Sequence, residues 1–284
     1  MRGAVTHAIL FATAAARPWS PAAISDYVRE RAGGPRAGGG VFWVGEGTLR
    51  RASGRRIAAL DCVESAEREC SGGEAGPEAP GGAFSVRRLI VYRDPSGNGT
   101  LLHVPDGRAQ KPVPPLEYTH VVRIGASSAS PEPAVSAARA DGSEVATGRT
   151  LRSGLRQRPL SRVFTLDVQA EAPRRGRGSR SKAEAIGRSG DAAAALLTGS
   201  SGAGVPGTIE EYELRVPRWP GSSPLLGREL LYRRTGPCPS WCGAGVCTTE
   251  LRLRRCRPPL AKRTLARLLR DCLDTDGRAS REQE

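Results

Sequence analysis

Apolar and polar residues alternate with a period of two through most of the chain, the signature of half-buried β-strands. Val41-Phe-Trp-Val44 and Thr48-Leu-Arg-Arg-Ala52 read as two strands, and Arg56 to Val63 as a third after the turn at Ser53-Gly54. Leu89 to His103 is the best-defined stretch: a strand, a tight turn at Pro95 to Gly99, and a returning strand. Its run Leu89-Ile-Val-Tyr92 is apolar on both faces, which predicts a strand inside the sheet. Further strands are predicted at Tyr118 to Ile124, on either side of the Asp141-Gly142 turn, at Phe164 to Val168, at Tyr212 to Val216 and at Glu229 to Arg233.

Helical spacing is rare. Ser25 to Arg31 predicts one or two turns with Ser25 as the N-cap and Tyr27 and Val28 inward. Leu265, Leu268, Leu269, Cys272 and Leu273 share one face, so Leu260 to Leu273 reads as an amphipathic helix. Nine or ten short strands without βαβ alternation predict a mainly β fold. The expected form is an antiparallel open barrel or sandwich, a lipocalin-like barrel among the choices, with a C-terminal amphipathic helix.

The same pattern divides the chain. Residues 1–40 are expected to be a targeting-like or disordered N-terminal segment. Its first twenty residues, with Arg2, a short apolar stretch and small residues before Arg17, resemble a secretory or organellar targeting peptide. A β-rich first part (41–172) and second part (209–273) flank a Gly-, Arg- and Ala-rich insertion at 173–208, expected to be disordered, and 274–284 is a loose tail. Glu64 to Gly82, charged and rich in Gly and Pro, is expected to be an exposed loop.

Composition changes this picture little. The net charge is +14, but all except three of the 43 basic residues are Arg, and they are spread along the chain. They lack the interleaved aromatics on which bases stack, so nucleic acid is not the favoured partner. No run approaches the ~20 apolar residues of a membrane-spanning helix.

Several motifs recur in order: Trp43-Val-Gly-Glu-Gly47, Ala59-Leu-Asp-Cys-Val-Glu64, Tyr92-Arg-Asp-Pro95 with Gly97, Tyr118-Thr-His-Val-Val122, and Arg234-Thr-Gly-Pro237 with Trp241. This series resembles the domain-of-unknown-function 1838 family of bacteria and plants, whose members share a W-x-G-x-G opening and a YRDP hairpin. The resemblance runs from about Phe42 to Cys256. Cys238 and Cys242 stand where that family has a Trp- and Pro-rich segment. The family has no established activity and implies no catalytic residues.

Candidate chemistry is sparse. Four of the seven cysteines, Cys238, Cys242, Cys247 and Cys256, lie close together in sequence. Unpaired structural thiols, disulfides and a structural zinc all remain open, although paired C-x2-C knuckles are missing. Asn98-Gly-Thr100 is a glycosylation sequon. Asp94 before Pro95 reads as a turn former. Gly202 to Gly207 matches G-x-G-x-x-G but follows no strand and opens no helix. Phosphate-loop, zinc-protease and nucleophile-elbow motifs are missing.

The leading reading is a β-rich domain binding a small apolar ligand in a barrel, lined by Trp43, Tyr92, His120, Trp219 and Trp241. One alternative is an enzyme using His103 or His120 with an acid such as Asp94. Another is a binder of nucleic acid or anionic lipid through Arg174 to Arg180. No cofactor, metal ligand or catalytic residue is assigned.

Overall fold

The alternating segments find neighbours on both sides. A computed structural model describes residues 17–33, 40–69, 81–103, 110–125, 132–138, 144–171, 208–217, 227–258 and 261–268. Its strands are β1 (Val41–Arg51), β2 (Arg56–Arg68), β3 (Gly81–Arg93), β4 (Leu102–His103), β5 (Lys111–Pro112) and β6 (Leu116–Gly125). They continue with β7 (Ala134–Ala138), β8 (Glu144–Gln157), β9 (Ser161–Glu171), β10 (Ile209–Pro217), β11 (Glu229–Pro237) and β12 (Val246–Cys256). All but β4 and β5 form one antiparallel ring in the order β1-β12-β11-β10-β9-β8-β7-β6-β3-β2. The fold is thus mainly β and antiparallel, as the alternation predicts. It is a closed barrel rather than an open one or a sandwich, because β12 returns to pair with β1 along its whole length.

Closure depends on two glycines of the W-x-G-x-G motif. A Cβ on Gly45 would stand 1.9 Å from the Arg252 carbonyl oxygen, and one on Gly47 1.9 Å from that of Glu250. Only glycine lets β1 and β12 approach this closely. The two predicted strands at 41–44 and 48–52 are therefore one continuous strand, with the small residues absorbing the contact.

The hairpin at Leu89 to His103 is corrected in its second half. Asp94 N–H donates to the Gly99 carbonyl at 2.9 Å, and Gly97 takes a positive φ of 86°. After the isolated bridge between Arg93 and Thr100 the chain leaves β3, and β4 pairs with β5 instead. The barrel neighbours of β3 are β2 and β6. Its apolarity on both faces has a specific cause. Ile90 and Tyr92 join the barrel core, while Leu89 and Val91 pack with Val63 beneath Leu265 and Leu268 of the helix over 261–268.

The N-terminal segment belongs to the fold from residue 17 onward. Arg17 and Leu155 exchange backbone hydrogen bonds, and Trp19 is buried against Tyr27 and Phe164. Helix α1 (Pro21–Ala32) starts earlier than predicted: Ser20, not Ser25, is the N-cap, and its hydroxyl accepts from Ala23 N–H at 3.2 Å. Pro21 fits the first helical position because its missing N–H would be unpaired there anyway. The helix packs into one mouth of the barrel against β2, β3, β6 and β10. Val28 rests on Gly82, where any Cβ would lie 2.7 Å from its methyl carbon.

Glu64 to Gly82 is not one exposed loop. β2 runs on to Arg68 and β3 begins at Gly81, and Glu64 is buried completely. The 173–207 insertion with Arg174 to Arg180, the Asp141-Gly142 turn and the tail from 269 lie outside the described residues.

Candidate functional site

Strand register puts an unusual row of side chains inside the barrel. Trp43 faces Glu64 across β1 and β2, Glu64 faces Arg88 across β2 and β3, and Arg88 faces Tyr118 across β3 and β6. Alternation makes all four point inward, since Cys62, Ile90 and His120, two residues along, are also inside. From α1, Arg31 lies one turn after Tyr27 on the buried face and reaches the same place.

Glu64 is held from both sides. Arg31 Nη2 donates to its Oε1, and Arg88 Nε donates to its Oε2 at 2.6 Å. Arg31 is 2%, Arg88 1% and Glu64 0% exposed, so none of these charges is screened by water. Burial alone would push the Glu64 carboxyl up, but the two guanidiniums outweigh it and hold its pKa below the ordinary value. Aromatic faces complete the setting. The Arg88 guanidinium carbon lies 4.5 Å from the Tyr232 ring centre and 5.4 Å from that of Tyr118, and Arg31 lies 5.3 Å from that of Trp43.

The neutralisation is incomplete: two guanidiniums share one carboxylate. The Nη1 nitrogens of Arg31 and Arg88 are buried and have no hydrogen-bond partner among the described residues. Such groups cost about 1–3 kcal/mol or more when left unpaired. Glu210, like Glu64 fully buried, accepts from Tyr212 Oη at 2.5 Å and Tyr232 Oη at 3.2 Å. Burial raises its pKa to about 7 against the opposing pull of those hydroxyls and Arg234, so half of it is neutral at that pH. Burial, and then the Arg88 charge, push His120 down to about 4. It is a neutral imidazole at pH 7.

A cavity lies against this cluster. Tyr27, Arg31, Arg88, His120, Glu210 and Tyr212 are among its lining residues, but the wall it presents is almost wholly apolar, with Phe84, Val86, Val122, Ile124, Leu166 and Val168 contributing. Its free room is about 30 Å³, enough for roughly two waters at 10–15 Å³ each.

The residues picked from sequence do not come together at one site. His120 lines the cavity. Trp43 does not, but it braces it: its Nε1 donates to the Arg31 carbonyl at 3.1 Å. Tyr92 and Trp241 meet each other edge to face at 5.1 Å, four residues or roughly 13 Å farther along β3. Trp219 lies outside the described residues. Asp94 is at an exposed turn, where its Oδ1 accepts from the Ser96 hydroxyl and from Gly97 and Asn98 N–H. That is the turn-forming use expected of it. His103 is on β4, paired with Lys111.

In comparisons with known proteins, no family model matches this chain, and no curated protein or solved structure is similar to it.

Sequence reasoning missed Arg31, Glu64, Arg88 and Glu210. Each carries a readable signal, a charge on the apolar phase of its element: Glu64 follows Leu60 and Cys62, Arg88 sits between Val86 and Ile90, and Glu210 precedes Tyr212 and Leu214. Arg31 follows Tyr27 and Val28 at helical spacing.

Proposed function

We propose that the barrel binds a small, largely apolar molecule with a single carboxylate, namely a short-chain monocarboxylic acid. The carboxylate sits on the Nη1 nitrogens of Arg31 and Arg88, and the alkyl part lies along Val86, Val122 and Leu166. The observation that carries this reading is that the Nη1 nitrogens of Arg31 and Arg88, buried and with no hydrogen-bond partner among the described residues, belong to residues lining a cavity whose exposed wall is almost wholly apolar. Arg is suited to the task because its guanidinium carries several donors, so Nη1 can donate to a ligand carboxylate while the other nitrogens still hold Glu64. Electrostatics agree: Arg31 and Arg88 against Glu64 leave one surplus positive charge while Glu210 is protonated. The resemblance to a family without assigned activity adds no reaction, and the reading rests on the cluster alone.

The room available sets the size of the ligand. A drug-sized molecule needs about 300 Å³ or more, and room for roughly two waters requires the walls to give even for acetate, so acids of the fewest carbons are favoured. Longer acids would displace α1, whose Tyr27 forms part of the wall. The test is the melting temperature of the full chain with acetate, butyrate, hexanoate and decanoate at matched ionic strength. A ligand bound only by the folded state raises it with concentration. Stabilisation by a short acid that is absent for decanoate and for the corresponding alcohol supports the proposal; no carboxylate-dependent shift for any member of the series overturns it.

A further inference from the structure

The turn between β11 and β12 brings three sulfurs together far from the barrel cluster. Cys238 directly follows β11, Cys247 is the second residue of β12, and Cys242 closes a short 3-10 turn between them. Cys238 and Cys247 are disulfide-bonded, whereas Cys242 is a free thiol. Ligand atoms of all three lie within 4.8 Å of one another. A third thiol this close to a disulfide is not needed to cross-link the turn.

The turn is held by contacts that do not involve sulfur. Cys238 N–H donates to the Gly245 carbonyl and Cys242 N–H to that of Pro239, both at 2.9 Å. Gly243 and Gly245 take φ values of 78° and 135°, reversing the chain where other residues would be strained. Arg51 of β1 donates to the Cys242 and Ala244 carbonyls and ties the turn to the barrel. The flanking strands pair as far as Pro237 and Val246. These contacts keep the three side chains together when the disulfide is open.

We propose that, with the Cys238–Cys247 disulfide reduced, Cys238, Cys242 and Cys247 form a three-thiolate site for a soft divalent cation of the zinc and cadmium class, the fourth position being taken by water. Tetrahedral zinc with Zn–S near 2.3 Å sets its sulfurs about 3.8 Å apart, so the widest separation must close by about 1 Å. Thiolate is the ligand that selects such cations. Three thiolates around a divalent ion leave one negative charge, and the Arg51 guanidinium is beside it. Reduction supplies two electrons and two protons to the disulfide and gives two thiols; a phosphine reductant is converted to its oxide. Metal binding then displaces three protons to solvent, one from each thiol. Disulfide and metal share two sulfurs and exclude each other.

The experiment is anaerobic titration of the phosphine-reduced full chain with cadmium, read as thiolate-to-cadmium charge-transfer absorption, followed by zinc competition against a chromophoric chelator. To remove background thiols other than the buried Cys62, it is repeated with Cys70, Cys256 and Cys272 changed to Ser. The expected result is one equivalent bound in both proteins and none in the oxidised chain. Cys242→Ser should weaken binding by more than about tenfold, since even partners one layer behind metal ligands give losses of that size. Circular dichroism follows the fold in parallel. Equal binding by Cys242→Ser, absent charge-transfer absorption, or a reduced chain that is unfolded and not restored by zinc would each overturn the proposal.

Discussion

Glu64 and Arg88 face each other across β2 and β3 inside the barrel, joined by an Nε–H to Oε2 hydrogen bond of 2.6 Å and almost fully removed from water. Arg31 completes the group from α1, so a helix and two strands meet at one carboxylate. Desolvating three ions costs several kcal/mol each, and attraction recovers this only while every partner is present.

Removing the carboxylate alone should therefore be severe. Glu64→Gln is expected to destabilise the protein by about 3–5 kcal/mol, because two buried guanidiniums lose their counter-ion. The triple change Arg31→Met, Glu64→Leu, Arg88→Met removes all three charges at similar volume and should come within about 1 kcal/mol of the parent or exceed it. Urea unfolding of both variants measures this. A Glu64→Gln midpoint equal to that of the parent would deny the cluster its structural role.

Stability against pH should show two opposed contributions. Glu210 has its pKa raised by burial to about 7, so its contribution is complete below about 4.3 and is lost as pH rises through 7. His120, lowered to about 4, contributes fully above about 6.5 and loses that contribution as pH falls through 4. Each spans about 3 kcal/mol, and between pH 4.5 and 6.5 they offset each other. Glu210→Gln should then become more stable as pH rises from 4 to 6.5, and His120→Gln less stable from 4.5 to 7. Chemical denaturation at closely spaced pH values distinguishes these slopes, and parallel curves for the two variants would refute the assignment.

Ring closure can be tested at one atom. Gly47→Ala places a methyl 1.9 Å from the Glu250 carbonyl oxygen, where backbone on both sides must yield. A loss of about 3 kcal/mol or more is expected. Gly125→Ala, with open space around it, should change stability little. Thermal melts of the pair give the comparison.

The terminal helix earns its place through Leu268, which is fully buried on Val63, Leu89 and Val91. Leu268→Ala should cost about 2–5 kcal/mol, while Lys262→Ala on the exposed side should be nearly neutral. Equal effects of the two would mean that the helix does not cover the outer face of β3.

Much of the fold is legible in the chain because period two survives wherever one face is buried: Phe164, Leu166 and Val168 alternate on β9, and all three are core. Legibility fails where composition imitates a loop or solvent. Glu64 opens a charged, Gly-rich stretch, yet the alternation through Leu60 and Cys62 carries β2 past it. Arg88 is one Arg among very many, and only its phase between Val86 and Ile90 marks it as buried. The helix start was obscured because Ser20 and Ser25 are both acceptable caps, although Pro21 at the first helical position decides between them. Pairing of Cys238 with Cys247 could not be read at all, since spacing does not specify connectivity.

The most direct test of the central claim is calorimetric titration of a short monocarboxylate into the parent and the uncharged triple variant, at pH 6 and pH 8. One site is expected in the parent, weaker at pH 8 because ionised Glu210 adds a second negative charge to the cavity, and no binding to the folded triple variant. Equal binding by the triple variant, or affinity that is unchanged between the two pH values, would contradict it.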